Sequence, residues 1–251
     1  MINSILLIFA LFFCFVSNAF SQEDYINEYT TTSYKNALTY GITLHSSGWG
    51  LGLQYLSNHT SNRNYIVNLD ILTLKHPKET KVLNPIYDNA RPYIFGKMNS
   101  IILIRPGLGN QFILADKENP LGVRINLNFV GGVDVTLLKP VFLNLIYLDN
   151  MGQEVFKTEK FDPDNPYHND QSNIKGAAPY FTGFGNLKMT FGLFLKSSLS
   201  FEWNEYEERF KVFEIGAMAE LFPEPLPVFA YIKNKNLFVN IFANFSFGRR
   251  W

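Results

Sequence analysis

Residues 187–203, LKMTFGLFLKSSLSFEW, alternate between apolar and polar side chains over their whole length. Eight of the nine odd-numbered residues are apolar, and seven of the eight even-numbered residues are polar or glycine. A period of two predicts a β-strand, because successive side chains of a strand point to opposite faces. This run of 17 residues is longer than the roughly 5–6 residues of a usual soluble strand. It can cross a bilayer at a tilt, which takes about 9–11 residues.

Six further segments alternate in the same way, at residues 38–44, 51–55, 65–71, 121–137, 213–221 and 237–247. A seventh, at residues 97–105, is the weakest, because Asn99 is isolated there in a mostly apolar run. Together the eight segments predict an all-β fold, an antiparallel up-and-down transmembrane β-barrel of eight strands. Ten strands remain an alternative, because residues 111–116 and 141–148 could each pair as well. The adjacent Gly131 and Gly132 predict a bulge or bend within one strand.

The connections between these segments differ in length on the two sides of the predicted barrel. Long connections are expected outside the cell near 76–96, 140–186 and 222–236. Short turns at 58–63 and 204–208, with a longer one at 107–120, are expected on the periplasmic side. Short periplasmic turns and long external loops are typical of bacterial outer-membrane barrels. The barrel domain is therefore predicted to span residues 37–251.

The first residues of the chain have the pattern of a secretory signal peptide. An apolar run of 12 residues at 5–16 precedes Ala19 and Ser21, two small residues at the spacing of a cleavage site. Residues 1–21 are the predicted signal peptide, with Gln22 first in the mature chain, and residues 22–36 form a short periplasmic lead-in. A signal anchor is the alternative. Cleavage would remove Cys14, the one cysteine, and with it thiol chemistry and disulfides.

The composition also narrows the class of protein. Lys and Arg number 22, equal to Asp and Glu, so the chain lacks the basic charge of a nucleic-acid-binding protein. Aromatic residues make up 16%, yet the mean hydropathy is only −0.03, as expected when apolar and polar residues alternate finely. From the signal peptide, the long alternating strands and the unequal connections, we expect export to the outer membrane of a Gram-negative cell, with outer-membrane lipid and lipopolysaccharide as surroundings. A secreted, lipocalin-like soluble barrel with its apolar face inward is the alternative.

The polar face of the predicted strands carries charges of both signs in similar number. An eight-stranded barrel has an interior just wide enough to be filled by side chains, and buried charges must be paired. We therefore predict a plugged lumen with a charge network of Asp70, Lys97, Arg105, Arg124, Asp134, Lys188, Lys196, Glu202, Glu214 and Glu220. A selective pore would need a wider barrel.

Aromatic residues recur near one end of the predicted outward face. A girdle at the periplasmic lipid boundary is predicted from Tyr40, Tyr55, Tyr65, Trp203 and Phe247. The last strand closes with Phe245, Phe247 and the terminal Trp251. This ending resembles the C-terminal aromatic signal by which the barrel assembly machinery recognises outer-membrane barrels, although Arg249 stands where that pattern prefers an apolar residue.

Short motifs along the chain carry a resemblance to a known family. They are Lys81-Val-Leu-Asn84-Pro85, Tyr93-x-x-Gly96-Lys97-x-Asn99, Arg105-x-Gly107-x-Gly109-x-Gln111, Leu137-Leu-Lys139-Pro140 and the final Gly248-Arg-Arg-Trp251. With them the chain resembles a Bacteroidota-type family of outer-membrane β-barrel proteins of unassigned activity. The resemblance implies an envelope barrel and brings no catalytic residues with it.

The chain offers few candidates for chemistry. His45 and Ser47, together with Glu202, are the residue types of a hydrolase triad, but such a triad depends on geometry that spacing does not give. His59, His76 and His168 lie in different predicted connections, so neither a metal site nor a cofactor is expected. We therefore predict a non-enzymatic structural or complex-forming envelope component that acts through its loops and rims, with other envelope proteins as partners. A lipid-modifying hydrolase is the alternative, and a small transport pore is the third.

Overall fold

The structure is a computed structural model that describes residues 35–60, 62–87, 89–117, 122–204 and 208–251. The predicted signal peptide and nearly all of the predicted lead-in lie outside these residues. The described strands are β1 Asn36–His45, β2 Gly48–Thr60, β3 Arg63–Leu74, β4 Asn99–Ala115, β5 Val123–Pro140, β6 Phe142–Leu148, β7 Glu154–Lys160, β8 Ile174–Ala177, β9 Lys188–Asn204, β10 Arg209–Leu221 and β11 Leu237–Arg250. The helical turns are α1 Pro166–Asn169 and two 3₁₀ turns, Gln171–Asn173 and Phe184–Asn186.

Eight of the described strands close into one barrel, in the order β1-β11-β10-β9-β5-β4-β3-β2. All neighbours are antiparallel, and β1 closes the barrel on β11 from Ala37 opposite Arg250 to His45 opposite Phe242. The predicted fold class, an antiparallel up-and-down barrel of eight strands, is confirmed. The alternative of ten strands is wrong, because residues 111–115 continue β4 and β6 belongs to a separate three-stranded sheet of order β7-β6-β8.

The two ends of the barrel differ. At one end, here called the turn end, β1 begins, β11 ends, and the connections β2–β3, β4–β5 and β9–β10 fall. At the other, the loop end, lie the tight turn after His45 and the three connections 75–98, 141–187 and 222–236. The predicted start of the connection at 107–120 is wrong, because β4 continues to Ala115. Residues 105–110 stay in β4 and pair with β3 from Asp70 back to Tyr65, so the glycines there lie within a strand.

Gly131 and Gly132 do not form the predicted bulge. The pairing of β5 with β9 runs without a shift from Val123 to Leu138. Gly132 instead makes room, with Gly107 of β4, for the aromatic ring of Phe194 in the lumen. A Cβ atom on Gly107, opposite Gly132, would lie 2.7 Å from Phe194 Cζ, which is closer than real contacts allow.

Alternation sorts side chains into two environments. Outward residues of the barrel strands are apolar and largely exposed, as Ile42, Leu195 and Ile241 are, while inward positions are polar and buried. One buried apolar cluster lies where the loop end meets the barrel: Leu72, Leu74, Ile101, Leu103, Leu138, Met218, Phe222, Leu226, Val228, Phe229 and Phe242. A second lies inside the barrel (Ala37, Leu56, Ile66, Val130, Phe194, Phe210), and a third packs beneath the small sheet (Tyr93, Leu143, Leu145, Phe161, Ile174).

Candidate functional site

The middle of the lumen is filled by Arg105 and three acidic side chains. The guanidinium of Arg105 lies 2.7 Å from Glu220 Oε1, and 3.8 Å from oxygens of both Asp70 and Asp134. All four residues are buried, with Arg105 only 1% exposed. Its charge also lies 5.2 Å from the ring centroid of Phe194. The strands β3, β4, β5 and β10 thus bring one base and three acids together, as alternation alone had suggested for these positions.

A second ion pair lies alongside it. Lys196 Nζ is 3.3 Å from Glu214, whose carboxylate also accepts a hydrogen bond from the Ser198 hydroxyl. The ammonium of Lys196 lies 4.6 Å from the ring centroid of Phe242. A small polar cavity adjoins the pair, and its lining is Thr39, Gly52, Gln54, Asn68, Asp70, Lys196, Glu214, Asn244 and Ser246. Among the described residues the lumen thus holds paired charges and side-chain packing where a channel would need open space.

The turn end carries its own ion pairs. Glu202 contacts Arg250 and lies 3.8 Å from Lys117 Nζ. Arg124 Nε donates to Asp116 Oδ1 at 2.7 Å. Burial acts to raise the pKa of Asp116, but this hydrogen bond and the charge of Arg124 outweigh it, so that pKa lies below its ordinary value. Glu202 and Arg124 therefore belong to the rim of the barrel.

Two predicted members of the network lie away from it. Lys97 precedes β4 and pairs with Glu79 of the same connection, Nζ to Oε1 at 2.8 Å. Lys188 begins β9 at the loop end and is exposed, opposite Leu138. The predicted single network is therefore corrected to a central cluster, a Lys196–Glu214 pair and separate rim pairs.

Alternation gives the face of a residue but not its height along the barrel axis. The partners Glu79, Asp116, Lys117 and Arg250 lie at strand ends or in connections, where alternation gives no signal.

Of the three candidate hydrolase residues, His45 and Ser47 lie together, with the Ser47 N–H donating to His45 Nδ1 at 3.4 Å, but Glu202 is remote from both. His45 ends β1 at the loop end, where its Nε2 lies 3.1 Å from the Thr73 carbonyl oxygen. The Ser47 hydroxyl donates to Asn240 Oδ1 at 2.6 Å. Glu202 lies at the turn end, opposite Arg124 of β5, so the length of the barrel separates it from His45. The described part of the chain holds no group of three metal-ligating side chains, and none of its helices has the length and apolar character needed to span a membrane.

The predicted aromatic girdle lies at the turn end. Tyr40, Tyr65 and Phe247 are exposed on the outer surface, whereas Tyr55 and Trp203 are half-buried. The rings contact one another in pairs, Tyr40 with Phe247 at 6.3 Å and Tyr55 with the C-terminal Trp251 at 6.4 Å between centroids. Phe245 of the predicted assembly signal lies 5.2 Å from Phe247. The structure thus places these residues around one end of an apolar outer surface.

The three long connections at the loop end fold together into a surface of their own. Asn84 donates to the Ile174 carbonyl oxygen of β8 at 2.9 Å, which links connection 75–98 to the small sheet. Phe95 stacks on Tyr231 with centroids 5.9 Å apart, and the Tyr231 hydroxyl donates to Asn169, which links connection 222–236 to both. The third apolar cluster lies beneath these contacts. The three connections therefore contact one another and form one continuous surface at the loop end.

Polar contacts within the small sheet fix its side chains. The Asp162 N–H donates to His168 Nδ1 at 3.0 Å, so the proton of neutral His168 lies on Nε2, 3.3 Å from Glu159 Oε2. The Tyr147 hydroxyl donates to the same oxygen at 3.0 Å. Tyr87, which donates to Glu154, has a raised pKa because of that hydrogen bond first, and because of burial and the carboxylate charge next. Both ring nitrogens of His168 therefore have partners within this part of the chain.

Fold and lumen together define a class, the eight-stranded up-and-down β-barrels with an apolar outer surface and a plugged interior. No protein-family model matches this chain. No curated protein matches it. Among solved structures it is similar to Neisserial surface protein A, with 10% identity over 86% of this chain and 95% of that one and a TM-score of 0.40. It is similar to Ail, the attachment invasion locus protein of Yersinia pestis (10%, 88% and 100%, TM-score 0.38), and to OprG of Pseudomonas aeruginosa (12%, 87% and 96%, TM-score 0.37).

Proposed function

We propose that this chain is an outer-membrane β-barrel without enzymatic activity, a structural or complex-forming component of the cell envelope that acts through its loop end and its turn end. The observation that carries the proposal is the contrast between the two surfaces of the barrel. The outer surface is apolar from strand to strand, while the lumen is filled by buried ion pairs. An apolar surface of this extent belongs in lipid, since soluble monomers rarely expose apolar patches beyond a few hundred Å².

The filled lumen argues against a transport function through the barrel. Its middle is filled by the Arg105 cluster, and at the loop end Phe222, Leu226 and Val228 pack over Leu72 and Leu103. An eight-stranded barrel has room for side chains and little else. The interacting groups of the protein therefore lie at its ends, with the loop end outside the cell and the turn end in the periplasm.

A location in the outer membrane implies three kinds of partner. Outer-membrane lipid and lipopolysaccharide contact the apolar outer surface. The barrel assembly machinery reads the terminal strand with Phe245, Phe247 and Trp251, and other envelope proteins bind the loop end. The resemblance to Bacteroidota-type envelope barrels agrees with this proposal.

Two measurements test the proposal. After expression in a Gram-negative host, the chain should stay with outer membranes through a urea wash and run faster on a gel unheated than boiled. In planar bilayers the purified protein should give no stable conductance, with a wide porin as the positive control. Reproducible single-channel steps that disappear in Lys196→Met or Glu214→Gln would contradict the plugged lumen. Recovery in the soluble fraction would contradict the membrane location.

A further inference from the structure

An aromatic cluster lies in the last part of connection 141–187, just before β9. Tyr180, Phe181 and Phe184 contact one another, with ring centroids 5.6, 5.9 and 6.0 Å apart. Phe181 is 81% exposed and Tyr180 60%. Large aromatic rings held together yet open to the surroundings are unusual on a surface in contact with water alone.

The cluster is built over a lysine of the outward face of β5. Lys139 has the same parity as the outward Val133 and Leu137, yet it is only 6% exposed. Its Nζ donates to the Tyr180 carbonyl oxygen at 2.5 Å and lies 4.1 Å from the centroid of the Tyr180 ring. The same ammonium lies 5.2 Å from the centroid of the Phe184 ring. A cation over two aromatic faces holds this segment against the outside of the barrel wall.

The cluster continues the lipid-facing surface. Leu137 of β5 lies opposite Met189 of β9, one outward position from Lys139 along β5, and Met189 and Phe191 are exposed. Leu187 and the exposed Lys188 connect the cluster to this surface along the chain. The barrel strands end at this height, so the apolar surface also ends here. Aromatic rings beside cationic groups are typical of the boundary between lipid and water.

We propose that Tyr180, Phe181 and Phe184, held against β5 by Lys139, form a binding site for the headgroup region of outer-leaflet lipids. The rings take up the boundary between acyl chains and headgroups, and the buried ammonium of Lys139 fixes them from beneath. The turn end has its aromatic girdle on strands, whereas at the loop end the site is supplied by a connection clamped onto β5. This inference rests on the proposed membrane location.

Fluorescence quenching by lipids with nitroxides at defined depths tests the site. In a Cys14→Ser background, which removes the one native cysteine, single variants Phe181→Cys, Leu195→Cys and Met151→Cys carry an environment-sensitive dye. The labelled proteins are reconstituted in vesicles of phosphatidylcholine and phosphatidylglycerol. Leu195 is outward on β9 and marks the acyl region. Met151, 84% exposed between Asp149 and Gln153, is a matched apolar residue away from the strands.

A headgroup nitroxide should quench the dye at position 181 by about twofold or more over the dye at position 151, because the cluster lies at the lipid boundary. An acyl-chain nitroxide should quench position 195 most. Equal behaviour of positions 181 and 151, with 195 quenched, would overturn the lipid site while the membrane location stands. Absence of quenching at 195 would overturn the membrane location and the lipid site together. In Lys139→Gln the headgroup quenching at 181 should fall, and unchanged quenching would overturn the part assigned to Lys139.

Discussion

At the scale of single residues, Arg105 lies between three carboxyl groups in the middle of the lumen. Glu220, Asp70 and Asp134 share this one guanidinium, with Glu220 the nearest of the three. Removing one partner from a buried pair costs more than the pair itself contributes, because a charge is left alone in a medium of low polarity. Arg105 and its acids therefore respond unequally to substitution.

The first prediction is that Arg105→Met destabilises the barrel by about 3–5 kcal/mol, since three buried acids lose their cation. Asp134→Asn should cost clearly less, because Asp70 and Glu220 still balance Arg105. The unfolding midpoint in urea, followed by tryptophan fluorescence of the protein in lipid vesicles, measures both. Arg105→Lys is the matched control and should fall between them. Equal costs for Arg105→Met and Asp134→Asn would mean that the cluster is not organised around the arginine.

Leu195 represents the outward residues. It is 71% exposed on β9 and lies opposite Gly131 and Ala219, so nothing large covers it from neighbouring strands. Its neighbour in sequence, Lys196, points into the lumen and is buried. Two adjacent residues thus meet opposite surroundings.

The second prediction is that Leu195→Arg impairs membrane insertion, at a cost of about 2–4 kcal/mol near the bilayer midplane and less towards the boundary. Leu195→Phe, which keeps the position apolar, is the control and should insert normally. The fraction of chain that shifts on an unheated gel after refolding into vesicles is the measurement. Normal insertion of Leu195→Arg would show that this face is not in lipid.

At the scale of elements, β4, β5 and β9 fit together around one ring. Gly107 and Gly132 lie opposite each other on neighbouring strands, and the Phe194 ring fills the space that their missing side chains leave. A Cβ on Gly107 would also lie 2.9 Å from Val130 Cγ1. Both close contacts are with side chains, so replacing Phe194 by a smaller residue should relieve part of the crowding.

The third prediction is that Gly107→Ala destabilises the barrel by about 1–3 kcal/mol through overpacking. In the double variant Gly107→Ala with Phe194→Leu, the cost should be smaller than the sum of the single costs. A double-mutant cycle of urea midpoints separates the interaction. Purely additive costs would show that Gly107 does not make room for the Phe194 ring.

The small sheet is an element of a different kind. Strand β6 continues the chain after β5, but it leaves the barrel and pairs with β7 and β8. The pairing of β5 with β9 spans Val123 to Leu138 without contribution from that sheet. The Ala178 N–H donates to the Phe142 carbonyl oxygen at 3.0 Å, so the chain enters and leaves the sheet at nearly the same place.

At the scale of the whole molecule, the barrel and the small sheet β7-β6-β8 are separate sheets. The barrel is closed by hydrogen bonds between neighbouring strands, whereas the small sheet is held by the third apolar cluster and by contacts such as Asn84 with Ile174. A closed barrel leaves no strand edge that would need the sheet for cover. We therefore expect the barrel to fold without the small sheet.

The fourth prediction follows from this independence. Replacement of residues 143–177 by a Gly-Ser-Gly linker should leave barrel folding intact, measured by the unheated gel shift. Connection 75–98 should lose its packing against the sheet, so trypsin should cleave it after Lys78 or Lys81, two exposed lysines. In the parent protein these sites should be cut slowly. Loss of the gel shift in the variant would show that folding of the barrel depends on the small sheet.

Period-two alternation is a local property, so the barrel strands and their inner and outer faces could be predicted from neighbouring residues, and eight such segments predicted an eight-stranded barrel. Parity also pointed Arg105 and Glu220 into the lumen. Which charges meet depends on register and on height along the axis, and these follow only from the pairing of the strands in three dimensions. In the folded chain Lys97 pairs with Glu79, and Lys188 is exposed. Glu202 lies at the opposite end of the barrel from His45. The contacts of the loop end join residues far apart in sequence, 41 positions for Lys139 with Tyr180 and 90 for Asn84 with Ile174, and periodicity carries no information at such separations.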